Sequence, residues 1–470
     1  MVHSTAQPPA AARSLTARQA AAVAVLACAQ LMLVLDVTVV NVALPDIAAD
    51  LDLGRTTTTW VMTAYTTLFG GLVLVGGRIA DLLGARRVLV LGMVLFATAS
   101  LASALAPGAA TLLAGRSVQG IAAALLSPAA LAVLLGQVSG AGRGRALAIW
   151  GSLSAVGTAV GVSLGGVLTS TLGWQWIFAI NVPIAVGILI ALPIVTSPVA
   201  ASPARLDLTG AALVTVGTAS IVYGLVGAGS VGWTDPLTLL SLAAGIALWI
   251  VFGVVESRTK DPVLRVSLLA ERPVLAGVLL MVVATGLMVG NFFIGSFALQ
   301  RAYGDGPLRV GLEFLPVAFG VGFGAHLAGH VLERVPARSV ATVGLALAAA
   351  GEATVLLAGS GRAVLVAGVA VAALGIGAVF VTAFTSALAT AGAAEGGTRS
   401  AVVSTAHELG GAFGVAVLST IAGSALTATH PAPESFDSTF AVAAVVAAVA
   451  AVIAVPLVPA VRRTAAAPHH

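Results

Sequence analysis

Two ionisable side chains stand inside long apolar runs and set the chemistry to be explained. Asp36 sits in Leu35-Asp36-Val37-Thr38-Val39-Val40-Asn41, and Arg116 in Gly115-Arg116-Ser117-Val118-Gln119-Gly120. A charge in apolar surroundings is costly and usually marks an ion path or coupling site. A carboxyl so placed can take or lose a proton as its surroundings change. A buried guanidinium keeps its proton and needs an acceptor. The two lie at comparable depth, so Asp36 and Arg116 are expected to communicate directly or through Gln119 or water. The plainer alternatives are an acid bonded to a neighbouring helix and an Arg bonded to backbone carbonyls.

Further candidates fall lower in the argument. Glu408, in His407-Glu408-Leu409, is a second proton-site candidate. Glu313 and Glu352 are read as reaching toward the outer surface. His326 and His330 have metal-ligand spacing, but no acid or Cys beside them completes a site, so no metal is expected. Gly157, Gly161, Gly165 and Gly166 form a small-residue face for close helix approach, placed where two halves of the molecule should meet. A nucleotide-binding Gly-x-x-x-x-Gly-Lys-Ser/Thr loop is lacking, so ATP-driven pumping and cofactors are not expected.

The elements that must position these groups are membrane helices. Apolar residues make up 59% of the 470 and charged residues 9%, too few charges to cover a soluble surface. Apolar runs of about 20 residues cross the hydrocarbon core as helices. Such runs fall near 20–45, 59–77, 88–106, 110–138, 146–169, 175–195, 209–228, 237–255, 274–300, 310–332, 338–358, 363–391, 399–425 and 437–459. That is an all-α membrane protein of about fourteen spans. The first run is too long for a signal-peptide core and is read as a retained span. Cys28, the single cysteine, excludes an intrachain disulfide. With both termini in the cytoplasm, 17 of the 22 Lys/Arg fall in inner segments, Arg116 lies inside a span, and only Arg55, Arg301, Arg309 and Arg362 fall outside. The positive-inside rule favours that orientation. The positive charge is spread over short loops, so nucleic-acid binding has no support.

The chain also repeats itself. Gly77-Arg-Ile-Ala-Asp81-Leu-Leu-Gly84-Ala-Arg86-Arg87-Val88 echoes Gly329-His-Val-Leu-Glu333-Arg-Val-Pro336-Ala-Arg338-Ser-Val340, from 77 to 329 an offset of 252. Gly157-Thr-Ala-Val-Gly161 echoes Gly410-Gly-Ala-Phe-Gly414, from 157 to 410 an offset of 253. Matching them divides the chain into a six-helix bundle at 18–195, two inserted helices at 208–256 and a second six-helix bundle at 272–461. Two related bundles around a central site are the plan of alternating-access carriers.

Taken together, these residues resemble the major facilitator superfamily, in its fourteen-span drug:proton antiporter branch, over nearly the whole chain. Leu35 to Asp46 resembles the first-span signature of that branch, whose acid handles protons or cations. Gly77, Asp81, Gly84, Arg86 and Arg87 resemble the superfamily's loop motif, a cytoplasmic charge relay that stabilises the outward-open state. Arg116, Gln119 and Gly120 match a fourth-span motif tied to proton transfer, and Trp174 to Pro183 is typical of the branch. Three positions depart from the pattern. Val162 stands where the span-five antiporter motif carries Pro, Pro336 stands where the first loop has Gly84, and Glu408 stands where Gln is frequent. The resemblance implies a monomeric, non-enzymatic transporter in the bacterial inner membrane. It would export small lipophilic or cationic compounds, such as drugs and antibiotics, in exchange for protons. A proton symporter for nutrient uptake and a lipid or peptide exporter stay open as alternatives.

Overall fold

Lipid cannot bond to backbone, so the chain satisfies its backbone polar groups inside helices. The computed structural model describes residues 16–138, 163–197, 207–259, 266–357, 361–389 and 396–460, with isolated positions between 146 and 161. Thirteen of its helices are long and apolar enough to cross a membrane. They are α1 (Ala17–Asp50), α2 (Arg55–Leu83), α3 (Ala85–Ala104) and α4 (Ala109–Gln137); α6 (Gln175–Val195), α7 (Leu208–Ala228, continuing to Val231) and α8 (Pro236–Arg258); α9 (Arg272–Ala302), α10 (Pro307–Val331), α11 (Ala337–Leu356, continuing to Leu357) and α12 (Arg362–Leu388); and α13 (Val402–Leu426, beginning at Gly396) and α14 (Pro433–Leu457). Between α4 and α6, residues 163–172 form the visible end of α5. Val162 and most of the fifth expected span before it lie outside the described residues.

Helix ends are set by local chemistry. Thr16 and Gln19 form a reciprocal capping box at the start of α1. Asp235 caps α8 through the N–H groups of Leu237 and Thr238, with Pro236 in the first helical position. Gly84 alone joins α2 to α3, at φ +89, a left-handed setting that suits a residue without Cβ.

Small residues draw the helices together in a pattern that occurs twice. A side chain on Gly92 of α3 would meet Ala122, Leu125 and Leu126 of α4, and one on Gly344 of α11 would meet Gly375, Ala378 and Val379 of α12. The first helix is displaced by 252 (92 to 344) and its partner by 253 (122 to 375). Gly115 against Ala99 and Ser103 likewise corresponds to Gly368 against Gly351 and Val355. The extra residue therefore enters between α11 and α12, which accounts for the two offsets in the sequence echoes.

Two faces of the bundle differ. The face where α1 begins and α14 ends is called the terminal face here, and the other the distal face. At the distal face one apolar core joins α1, α2, α4 and α6 to α9, α10, α12 and α13, through Val42, Ile47, Phe178, Phe293, Phe297 and Phe314 among others. Toward the terminal face there are two separate cores, one built from the first six helices and one from the last six. Helix α7 packs against both α2 and α13. Arg55 pins that junction by donating to the carbonyls of Ser419 (2.9 Å) and Val226 (3.0 Å).

Candidate functional site

The site forms where α1, α2, α3, α4 and α6 converge. Asp36 and Arg116 have fully buried side chains, and Arg116 Nη1 lies 2.5 Å from Asp36 Oδ2. Gln119, one helical turn along α4 from Arg116, lies on the same face. Its Oε1 accepts from Arg116 Nη1 at 3.0 Å, and its Nε2 donates to Asp36 Oδ1 at 3.0 Å and to Ser100 Oγ at 2.8 Å. The direct and the Gln119-mediated links, alternatives at the level of sequence, are thus present together.

Asn181 of α6 was not singled out from sequence, yet its Nδ2 donates to Asp36 Oδ1 at 3.0 Å. An uncharged Asn two residues before a Pro in an apolar run was the available signal. Backbone contributes as well, since Arg116 Nε donates to the Val61 carbonyl at 3.0 Å. The guanidinium lies over the rings of Tyr65 (4.4 Å) and Phe178 (5.8 Å), within cation–π range. Arg116 Nη2 has no hydrogen-bond partner among the described residues. One buried carboxylate therefore receives a guanidinium and two amide donors from two helices, and Arg116 depends on Asp36 for its only counter-charge in the cluster.

Glu408 is not part of this cluster. It pairs with His407 at 3.2 Å and faces α2 where a side chain on Gly70 would touch its Cβ. Gly157 and Gly161 lie against Leu31, Val34, Leu35 and Thr38 of α1, and Gly165 against Val39. The small-residue face thus turns mainly to α1 rather than to the second helix set. Gly166 is the member that crosses, meeting Pro307, Leu308 and Gly311 of α10. At the terminal end of α2, Asp81 and Arg87 are exposed, and Asp81, Arg86 and Arg87 form no ion pair among the described residues. Gly77 approaches Pro128.

The two acids read as surface-reaching separate. Glu313 does lie at the distal face, bound to Arg309 (3.2 Å) and Arg362 (3.1 Å) beside Asp305. Glu352 corrects the expectation, since it is 0% exposed and takes a hydrogen bond from Asn291 at 2.5 Å. Helix α11 packs on α12 and α14, and the Glu352 side chain points inward to Asn291 of α9. His326 and His330 are exposed, with Nδ1 of His330 3.0 Å from the His326 carbonyl.

A helical bundle of this size with a sealed ion pair at its convergence point is a multi-pass membrane protein. The Major Facilitator Superfamily profile matches residues 26–323, and the chain belongs to that superfamily. Curated relatives include the puromycin resistance protein of Streptomyces alboniger, 37% identical over 86% of this chain and 82% of that one. The cephamycin export protein of Amycolatopsis lactamdurans is 33% identical, over 85% and 84%. The lincomycin resistance protein of Streptomyces lincolnensis is 35% identical, over 69% and 67%. Among solved structures, a peptide transporter in complex with sulfate superposes with a TM-score of 0.67 at 17% identity, covering 93% of this chain and 94% of that one; this likeness concerns the fold. The protein is a bacterial inner-membrane transporter of small molecules, not an enzyme.

Proposed function

We propose that the protein is a proton-coupled antiporter that exports small lipophilic or cationic compounds, antibiotics among them, by alternating access. The names of its relatives support efflux of this kind. Bundles at 18–195 and 272–461 would rock against each other, with the hairpin 208–256 riding along the seam. The recurring Gly92 and Gly344 contacts support that division. The terminal face is taken as cytoplasmic on the positive-inside rule. A shared core at the distal face and divided cores at the terminal face support an inward-open reading of this state. The lack of ion pairs at Asp81, Arg86 and Arg87 among the described residues fits a relay released in that state.

The observation that carries the reading is the Asp36–Arg116 pair. Protonation of Asp36 removes the counter-charge in contact with Arg116, which already has one nitrogen without a partner among the described residues. Breaking a buried pair from one side costs about 3–5 kcal/mol, enough to favour a rearrangement that gives Arg116 new acceptors. Asp36, Arg116 and Asn181 lie on different helices, so that rearrangement moves α1 against α4 and α6. Gly157, Gly161 and Gly165 couple α1 closely to α5, and Gly166 passes the shift to α10 in the other bundle. Protons entering down a potential of about 150 mV supply roughly 3.5 kcal/mol each. Asp81, Arg86 and Arg87 reclose the cytoplasmic side on reset, and Glu408 is an auxiliary acid at the seam. The unit is a monomer.

The test is efflux of puromycin and a panel of lipophilic cations in inverted vesicles under an imposed pH gradient. Wild type should accumulate at least one of them, while Asp36→Asn folds normally and accumulates none. Gradient-driven accumulation by Asp36→Asn at the wild-type rate would overturn the assignment. Uptake in the direction of the proton flux would instead favour the symporter reading.

A further inference from the structure

Glu352 of α11 is fully enclosed. Asn291 Nδ2 of α9 donates to its Oε1 at 2.5 Å, and Oε2 has no hydrogen-bond partner among the described residues. The internal repeat gives this acid a meaning. Ala99 and Ser103 of α3 face Gly115 as Gly351 and Val355 of α11 face Gly368, so Glu352 occupies the position of Ser100. Ser100 belongs to the Asp36 cluster through Gln119.

Its charged pair and Gln119 have no polar counterpart on the other side. Gly157 meets Val34 and Gly161 meets Thr38, as Gly410 meets Val282 and Gly414 meets Gly286. Helix α1 thus maps on α9 with an offset of 248 (34 to 282; 38 to 286). Asp36 then corresponds to Ala284, Arg116 to Val369 and Gln119 to Ala372, all three buried. In α9–α14 the acid has moved one helix over and the guanidinium has been replaced by a valine.

Among the described residues, the helices around Glu352 offer no substitute cation. Helix α12 carries only Arg362, held by Asp305 and Glu313. Helix α14 carries Glu434 and Asp437 in its opening turns. Helix α9 carries Arg272, which donates to the Pro456 carbonyl, and Arg301, which donates to the Ala428 carbonyl at 3.3 Å. On α11 itself, Arg338 donates to the Val458 carbonyl at 3.2 Å. All lie near helix ends, and none contacts Glu352. An ionised carboxylate with one hydrogen bond and no counter-charge is far less favourable in such a site than the neutral acid.

We propose that Glu352 is a second proton-binding site. Its Oε2 takes a proton from water on the distal side, to which it lies nearer along α11, and the carboxyl stays neutral while the distal face is closed. It releases that proton when α9 and α11 shift and water reaches the pair. The two acids thus hold protons by opposite logic. Asp36 is kept ionised by a cation that must be displaced, whereas Glu352 is kept neutral by the lack of one. The carrier role rests on the alternating-access reading, but occupancy by a proton does not, and infrared spectroscopy of purified protein needs no substrate.

The full-length protein is purified and its carbonyl-stretch region recorded at neutral pH in H2O and D2O. Wild type should show a protonated-carboxyl band that moves down in D2O. Glu352→Gln should lose the band, Glu352→Asp should restore one, and Asp36→Asn should leave it in place. Asn291→Leu should move it to higher frequency, because the carbonyl loses its donor, and this variant decides the matter if Glu352→Gln does not fold. The site assignment is overturned if wild type lacks the band, if Glu352→Gln retains it, or if Asn291→Leu leaves it unmoved. A band that never shifts in D2O overturns the exchange with water and leaves a sealed structural acid.

Discussion

The helices α1–α6 and α9–α14 pack through matching contacts but hold unlike polar interiors. Where the first set has Asp36, Arg116, Gln119 and Ser100, the second has Ala284, Val369, Ala372 and Glu352. Packing is thus a property of the scaffold, set by glycines such as Gly92 and Gly344 that admit a neighbouring helix. Charge is a property of the individual site. One scaffold can therefore carry an ion pair whose loss forces movement and, in its twin, a neutral acid that leaves the packing undisturbed.

That contrast can be broken most sharply at the ion pair. Arg116→Ala should destabilise the detergent-solubilised protein by ~3–5 kcal/mol, because Asp36 is left as a buried charge. Val369→Ala, at the matching place, should cost about 2 kcal/mol, at roughly 0.8 per buried methylene-sized group. Equal losses in a thermal unfolding series would mean that the pair contributes only as bulk. Replacing both charges, Asp36→Leu with Arg116→Met, should recover most of the stability and none of the proton-driven transport.

Matching contacts should give matching costs. Gly92→Leu and Gly344→Leu each force a side chain into the facing helix, so both should lose ~1–3 kcal/mol. A large disparity between their midpoints in the same detergent would undo the equivalence. The loops should differ. Gly84→Ala places a Cβ at φ +89 and should cost about 1–2 kcal/mol, whereas Pro336→Ala, at the matching loop position, should cost less. The smallest effect belongs to Ser100→Ala, which removes one acceptor from Gln119 and should cost about 1 kcal/mol.

Much of this was legible in the sequence because lipid makes charge conspicuous. Asp36 and Arg116 stood out in apolar runs, and their shared depth implied contact. Sequence does not fix the direction in which a side chain leaves its helix. Glu352 therefore read as surface-reaching until its burial and its bond to Asn291 of α9 were known, and the glycines from 157 to 165 were assigned to the wrong neighbour. Asn181 lay within the stretch read as typical of the branch but was given no role, because it is uncharged and its contact arises from three helices meeting. The offsets of 252 and 253 were visible in the sequence echoes, but the insertion responsible appears only when α3 and α11 are placed beside their partners.

The account depends most on Asp36 acting as the switch between conformations. Electron-electron distance spectroscopy tests this directly, with spin labels at Leu83→Cys and Arg334→Cys across the terminal face and Cys28, the single native cysteine, replaced by Ser. The wild-type background should show a distance distribution that shifts reversibly with pH, and Asp36→Asn should hold one distribution throughout. An Asp36→Asn protein whose distances follow pH as the wild type does would contradict the account.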